Sequence, residues 1–223
     1  MKQPKLFTWM QVILVTILPW VYLAFIWKDL PAIIPVHFEL NGHPDKYGPK
    51  NNIVIVPAIL SGLTLLIFLL FQGFRKYVSA EKVANASVLL SKVSVVLAYF
   101  FCGISLLILY WTLSGKVVGL QIVFAGVALL FAFIGNSMYS IKPNKFAGFR
   151  VPWTLKNEDI WRTTHQFSSK LWFFGGIILA VVSLLLSTPA LFFVFFGCKL
   201  ILLAIPFFYS YKLYKNYKTK GHV

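Results

Sequence analysis

Six stretches of this chain stay apolar for about as long as a helix needs to cross a bilayer, and that length decides what the chain can fold into. They run roughly over Phe7–Ile26, Ile53–Phe74, Val93–Leu113, Val117–Gly135, Leu171–Ser187 and Pro189–Tyr211. About 20 mainly apolar residues in a helix span the roughly 30 Å of hydrocarbon. Composition agrees: only 12% of the 223 residues are charged and the mean hydropathy is +0.78, whereas soluble domains carry roughly 25% charged residues. Too little polar surface is available to cover a globule in water. The expected fold is an all-α integral membrane protein with six transmembrane helices, a single membrane domain over residues 1–223.

The connections set the expected topology. "SGK" at 114–116 joins the third and fourth stretches and "STP" at 187–189 the fifth and sixth, so each pair should form a tight antiparallel hairpin. Two Lys precede the first stretch (Lys2, Lys5) and four cations separate the second from the third (Arg75, Lys76, Lys82, Lys92). Six more separate the fourth from the fifth (Lys142, Lys145, Arg150, Lys156, Arg162, Lys170), and four follow the sixth (Lys212, Lys215, Lys218, Lys220). That is sixteen on one side against four on the other (Lys28, Lys46, Lys50, Lys116). Basic loops stay cytoplasmic. Both termini and residues 136–170 are therefore expected inside, with residues 27–52 outside. The net charge of +15 has the same origin and calls for no direct nucleic-acid partner. The first stretch reads as a retained span, because no small-residue cleavage site follows it. Trp9, Trp27, Trp111, Trp172, Tyr209 and Tyr211 fall near stretch ends, where amphipathic rings anchor to headgroups. Cys102 and Cys198 lie inside apolar runs and form neither a disulfide framework nor a metal pair.

Two polar islands interrupt the apolar pattern. In the first, "PAIIPVHFELNGHPDKYGPK" (31–50), "VHFEL" alternates like a short strand, "NGHPD" is a turn sequence and "KYGPK" turns the chain back. The segment reads as a hairpin-like extracellular lid on the membrane surface. His37, Glu39, His43 and Asp45 crowd into it beside Lys50. Each of the four is an acceptable zinc ligand. Their spacing is not HExxH, which puts two histidines on one helical face, and hydrogen bonds to the turn backbone explain them as well. No metal and no cofactor is expected. A peptide or lipid-headgroup contact suits the lid better.

The second island is "GNSMYSIKPNKFAGFRVPWTLKNEDIWRTTHQFSSK" (135–170). Pro143 and Asn144 mark a turn and Gly148 permits unusual backbone geometry. Asn157 suits a helix N-cap, followed by two acids that complement the helix dipole. A helix from about Glu158 would place Ile160, Trp161, Thr164, Phe167 and Leu171 along one stripe. That makes an amphipathic helix on the inner membrane surface, facing anionic lipids and leading into the fifth span. Arg150, between Gly148 and Pro152-Trp153, suggests a fixed guanidinium that braces the loop or meets a phosphate or carboxylate. Inside the sixth stretch Lys199 lies about ten residues, or about 15 Å, from the outer end, with no acid in any stretch to pair with. Its readings are a cation facing a cavity that takes a peptide carboxylate or lipid phosphate, a neutral or carbonyl-paired lysine, or a shifted or tilted span.

Together the islands resemble the SdpI family of bacterial membrane immunity proteins. The first matches that family's pattern at Pro31, Ile34, Pro35, His37, Phe38, Gly42, Pro44, Asp45, Tyr47, Gly48 and Lys50. The second matches at Gly135, Asn136, Pro143, Asn144, Gly148, Arg150, Pro152, Trp153, Thr154, Trp161, Thr164 and His165. The chain departs from the pattern at Glu39 in the first island, where an amide is commoner, and in the second at Val151, where Thr is frequent, and at Ser168 and Ser169, where glycines are usual. The resemblance implies a multi-pass protein of the bacterial cell membrane that is not an enzyme. It would protect against a secreted antimicrobial peptide toxin by binding it, with membrane lipids as neighbours. It also implies a signalling receptor that holds a transcriptional repressor, a cytoplasmic partner, at the membrane. His37, Glu39, His43, Asp45, Lys50 and Lys199 are the expected ligand-binding residues. Asn136, Asn144, Gly148, Arg150, Pro152, Trp153, Trp161 and His165 form the expected cytoplasmic motif. Two other readings stay open: a small transporter of a peptide or lipid, and a membrane-embedded metal-dependent enzyme resting on the His/Glu/Asp cluster.

Overall fold

The computed structural model describes residues 6–39, 43–77, 80–117, 119–144 and 147–219. Six helices among them are long and apolar enough to cross a membrane, as expected. Large side chains on their surfaces are left bare: Phe193 is 82% exposed and Phe25 80%. Water would not tolerate apolar surface on that scale, and lipid does. The chain forms two compact units, Met1–Tyr77 with Leu90–Val123, and Val78–Leu89 with Phe124–Val223.

The first unit holds α1 (Leu6–Ile26), α2 (Ile55–Tyr77) and the later part of α3 (Ala80–Ser114). One core cluster joins Val12 and Val15 of α1 to Phe68 of α2 and Ala98 and Cys102 of α3. A second joins Leu23 and Ile26 to Ile53 and Leu109, and Leu30 and Ile34 of the intervening segment complete it. That segment is a two-stranded antiparallel sheet, β1 (Ile33–Phe38) and β2 (Pro44–Pro49), followed by a 3-10 turn at Lys50–Val54. The expected lid is thus a hairpin, but "KYGPK" does not turn the chain: most of it lies in β2, and the 3-10 turn does the turning. Pro44, Gly48 and Pro49 are tolerated in β2 because a two-stranded sheet consists of edges only.

In the second unit the chain runs through α4 (Leu120–Met138, from Phe124 onward), α5 (Pro152–Lys156), α6 (Glu158–Leu185) and α7 (Thr188–Thr219). The expected surface helix is corrected here. It is the first part of α6, continuous with the fifth span, and Ile160, Trp161 and Thr164 of its stripe are buried in protein. Asn157 Oδ1 accepts from the N–H groups of Asp159 and Ile160 at 2.9 and 3.0 Å and starts the helix. No Gly or Pro interrupts it before Gly175, and its 28 residues reach about 42 Å, longer than the hydrocarbon layer.

Small residues set the helix spacing. Ala125, Ala128, Ala132 and Gly135 recur at helical spacing on α4, and a Cβ on Gly176 of α6 would sit 2.8 Å from both the Ala128 carbonyl and the Ala132 Cβ. Close approach of this kind is the usual way lipid-embedded helices associate. Proline sets a different constraint on α7. Pro206 has no N–H for the Leu202 carbonyl one turn earlier. The indole N–H of Trp172, on α6, donates to that carbonyl at 2.8 Å. A backbone acceptor that lipid could not satisfy is thereby satisfied by a side chain.

Candidate functional site

The hairpin brings two of the expected ligand residues into contact. His37 Nδ1 and Asp45 Oδ1 lie 2.6 Å apart across the strands, with the histidine side chain 59% exposed and the carboxylate 29%. The hydrogen bond from His37 holds the Asp45 carboxyl below its ordinary range. Register shifts flank His37, and such bulges re-aim side chains. The Glu39 N–H donates to the His43 carbonyl at 2.9 Å and the Lys50 N–H to the Ala32 carbonyl at 2.9 Å, so the sheet is tied at both ends. Buried Ile34 roots it in the core, while Ile33 and Tyr47 remain exposed. Lys50 is not a free cation. Its Nζ stands 4.9 Å from the Trp27 ring centroid and 3.5 Å from the Trp27 carbonyl. Among the described residues no three of His, Cys, Asp and Glu gather into a group that could hold a metal ion. Gly42 lies outside the described residues.

The motif of the second unit turns inward. His165, fully buried, accepts from the Phe149 N–H at Nε2 (3.0 Å), which leaves Nδ1 to donate to the Trp161 carbonyl at 2.8 Å. Trp161 stacks on the imidazole with centroids 4.0 Å apart and donates its indole N–H to the Ile141 carbonyl at 2.8 Å. Gly148, at φ +114°, passes so close to His165 Nε2 that a Cβ there would overlap it. Asn144 closes the turn before it. Its Oδ1 accepts from the Ala147 N–H at 2.8 Å and its amide donates to the Lys142 and Ala147 carbonyls. Thr154 Oγ1 lies 2.6 Å from the Phe149 carbonyl and accepts from the Val151 N–H at 3.2 Å. Trp153 packs α5 on α7, donating to Ser210 Oγ at 3.0 Å and stacking on Tyr214.

These residues form a framework for the loop, and Arg150 is not part of it. Of the two roles expected for it, bracing the loop or meeting a phosphate or carboxylate, the first is not seen: Arg150 is exposed and makes no hydrogen bond or ion pair with any described residue. Thr154 and His165 brace the loop instead, because a hydroxyl and an imidazole bond backbone at short range without burying a charge. Pro152 and Asn136 are exposed as well. Lys199, in the second unit, stands over the faces of Phe131 and Phe195, 4.1 and 5.6 Å from their centroids. A cation–π pair is an answer to its half-buried place that the sequence readings did not include. Sequence reading missed the Trp172–Leu202 bond, although Pro206 inside an apolar helix was the signal that one carbonyl needed a donor.

Comparison with known proteins follows this geometry. Residues 140–210, which contain the inward-turned framework, match the SdpI/YfhL protein family. Residues 14–60, which contain the hairpin, match a domain of unknown function (DUF1648). The chain is 25% identical over 174 residues to the protein of Bacillus subtilis (strain 168) named "Immunity protein SdpI", covering 77% of this chain and 79% of that one. It is 31% identical over 51 residues to an "Uncharacterized protein" of Archaeoglobus fulgidus, covering 23% of this chain and 28% of that relative. No solved structure matches.

Proposed function

From the SdpI/YfhL match and the likeness to an immunity protein over most of the chain, we propose that this is a membrane immunity protein whose hairpin meets a secreted antimicrobial peptide. One observation carries the reading: the hairpin is preformed. Ile34 is buried beneath it, His37 and Asp45 clasp its strands, and Ile33, Tyr47 and the free edge of His37 face outward. A recognition surface fixed before binding does not lose ordering entropy on binding. Prolines 35, 44 and 49 offer no N–H, so recognition runs through side chains rather than strand addition.

The excess of Lys and Arg on the other connections supports an outward hairpin and cytoplasmic termini. The exposed Arg150 then faces the cytoplasm, where an acidic patch on a repressor would meet it. The test is survival of a toxin-sensitive bacterium expressing this chain under challenge with a membrane-active peptide toxin, against an empty vector. Protection that falls with Asp45→Ala and Ile33→Asp, at unchanged protein level in the membrane, supports the reading. Absence of protection by protein shown to be in the membrane overturns it for that toxin class. Undiminished protection in both variants removes the hairpin from it.

A further inference from the structure

Inside the first unit, α1, α2 and α3 form a half-open cavity of about 10 Å³ lined by Val15, Pro19, Ser61, Thr64, Cys102 and Ser105 among others. Volume of about 10–15 Å³ accommodates one water. Two polar atoms here need a partner. Ser105 Oγ is buried, 1% exposed, and has none among the described residues. The Val15 carbonyl would accept from the N–H four residues on, but that residue is Pro19, which has none. The neighbouring hydroxyls are already engaged. Thr64 donates to the Leu60 carbonyl at 2.8 Å, and Ser61 donates to the Thr16 carbonyl at 3.2 Å while accepting from the Trp20 indole at 3.1 Å. Both keep lone pairs that can accept. Pro19 stands seven residues from the end of α1, about 10 Å along the helix, within the hydrocarbon, where an unsatisfied polar group costs several kcal/mol.

We propose that this cavity is a binding site for one structural water. It accepts from Ser105 Oγ–H and donates one hydrogen to the Val15 carbonyl and the other to the Ser61 or Thr64 oxygen. A water placed so has three partners, the usual number for a buried one. It ties α1, at the carbonyl that Pro19 leaves without an N–H, to α2 and α3 through an exchangeable partner.

Radiolytic hydroxyl labelling of the full chain in nanodiscs, read by mass spectrometry, tests this. X-rays split a trapped water in place, and the radical attacks the nearest side chain, so Cys102, buried but lining the cavity, reports it. The expected result is Cys102 labelling at least as fast as that of the more accessible Cys198. Labelling should fall several-fold in Ser105→Ala, which removes the donor, and in Pro19→Ala, which supplies the missing N–H. If one variant does not fold, the other carries the test. Cys102 labelling that is negligible in the wild type, or unchanged in the variants that fold, overturns the site.

Discussion

Replacing Gly148 with Ala tests the framework of the second unit without reference to any activity. Two costs add. An L-residue held at φ +114° carries strain of about 1–3 kcal/mol. The new Cβ overlaps His165 Nε2, so the 3.0 Å bond from the Phe149 N–H must break, and a buried donor left without a partner costs about 1–3 kcal/mol. The sum, about 2–6 kcal/mol, corresponds to a fall in Tm of about 5–20 °C for a chain of this size. Thermal unfolding in detergent, followed by near-ultraviolet circular dichroism, measures it. Gly103→Ala is the control, since nothing lies within 4 Å of a Cβ there and Ala favours the helix by about 1 kcal/mol. In a His165→Ala background Gly148→Ala should keep only the backbone part of its cost. A Gly148→Ala protein that melts with the Gly103→Ala control refutes the reasoning. A cost undiminished in the His165→Ala background refutes the overlap.

Three further outcomes are expected. Trp172→Phe leaves the Leu202 carbonyl without a donor and should cost about 1–3 kcal/mol. Adding Pro206→Ala, which restores the N–H, should recover most of that in unfolding measurements. Asp45 has its carboxyl held below the ordinary 3.8 by His37. Its contribution is therefore fully present above pH 3.8 and lost as the pH falls through the lower folded value; hydrogen exchange at the Glu39 amide should show this acid step, and Asp45→Asn should abolish it. Lys199→Met should leave stability unchanged or raise it, because a lost cation–π contact of about 0.5–2 kcal/mol is outweighed by no longer burying an ammonium, about 2.5–3.5 kcal/mol. A large drop in Tm would show that the charge itself holds α7.

The six spans were legible because crossing lipid demands length and apolarity, and both are written in composition. Boundaries were less so. α3 begins at Ala80, where polar Glu81, Lys82 and Asn85 read as a connection, and polar residues follow a helix beyond the lipid without breaking it. The hairpin was legible from its alternation and turn residues, but the His37–Asp45 clasp depended on a bulged register that no residue spacing reveals. In the 140–165 segment the dense polar pattern looked like a site. Most of it is framework, because Thr154 and His165 satisfy backbone that a compact loop cannot satisfy itself, and Gly148 leaves His165 the room to do so. Burial decides which member of a motif faces outward, and burial is a property of the fold rather than of the motif.

The division of the chain also orders its assembly in time. The first unit, hairpin included, is drawn entirely from residues up to Val123. Synthesis proceeds at about 5–20 residues per second, so the 100 residues after Val123 take about 5–20 s. The hairpin should therefore be folded, and resist protease, through the time the second unit is still being made.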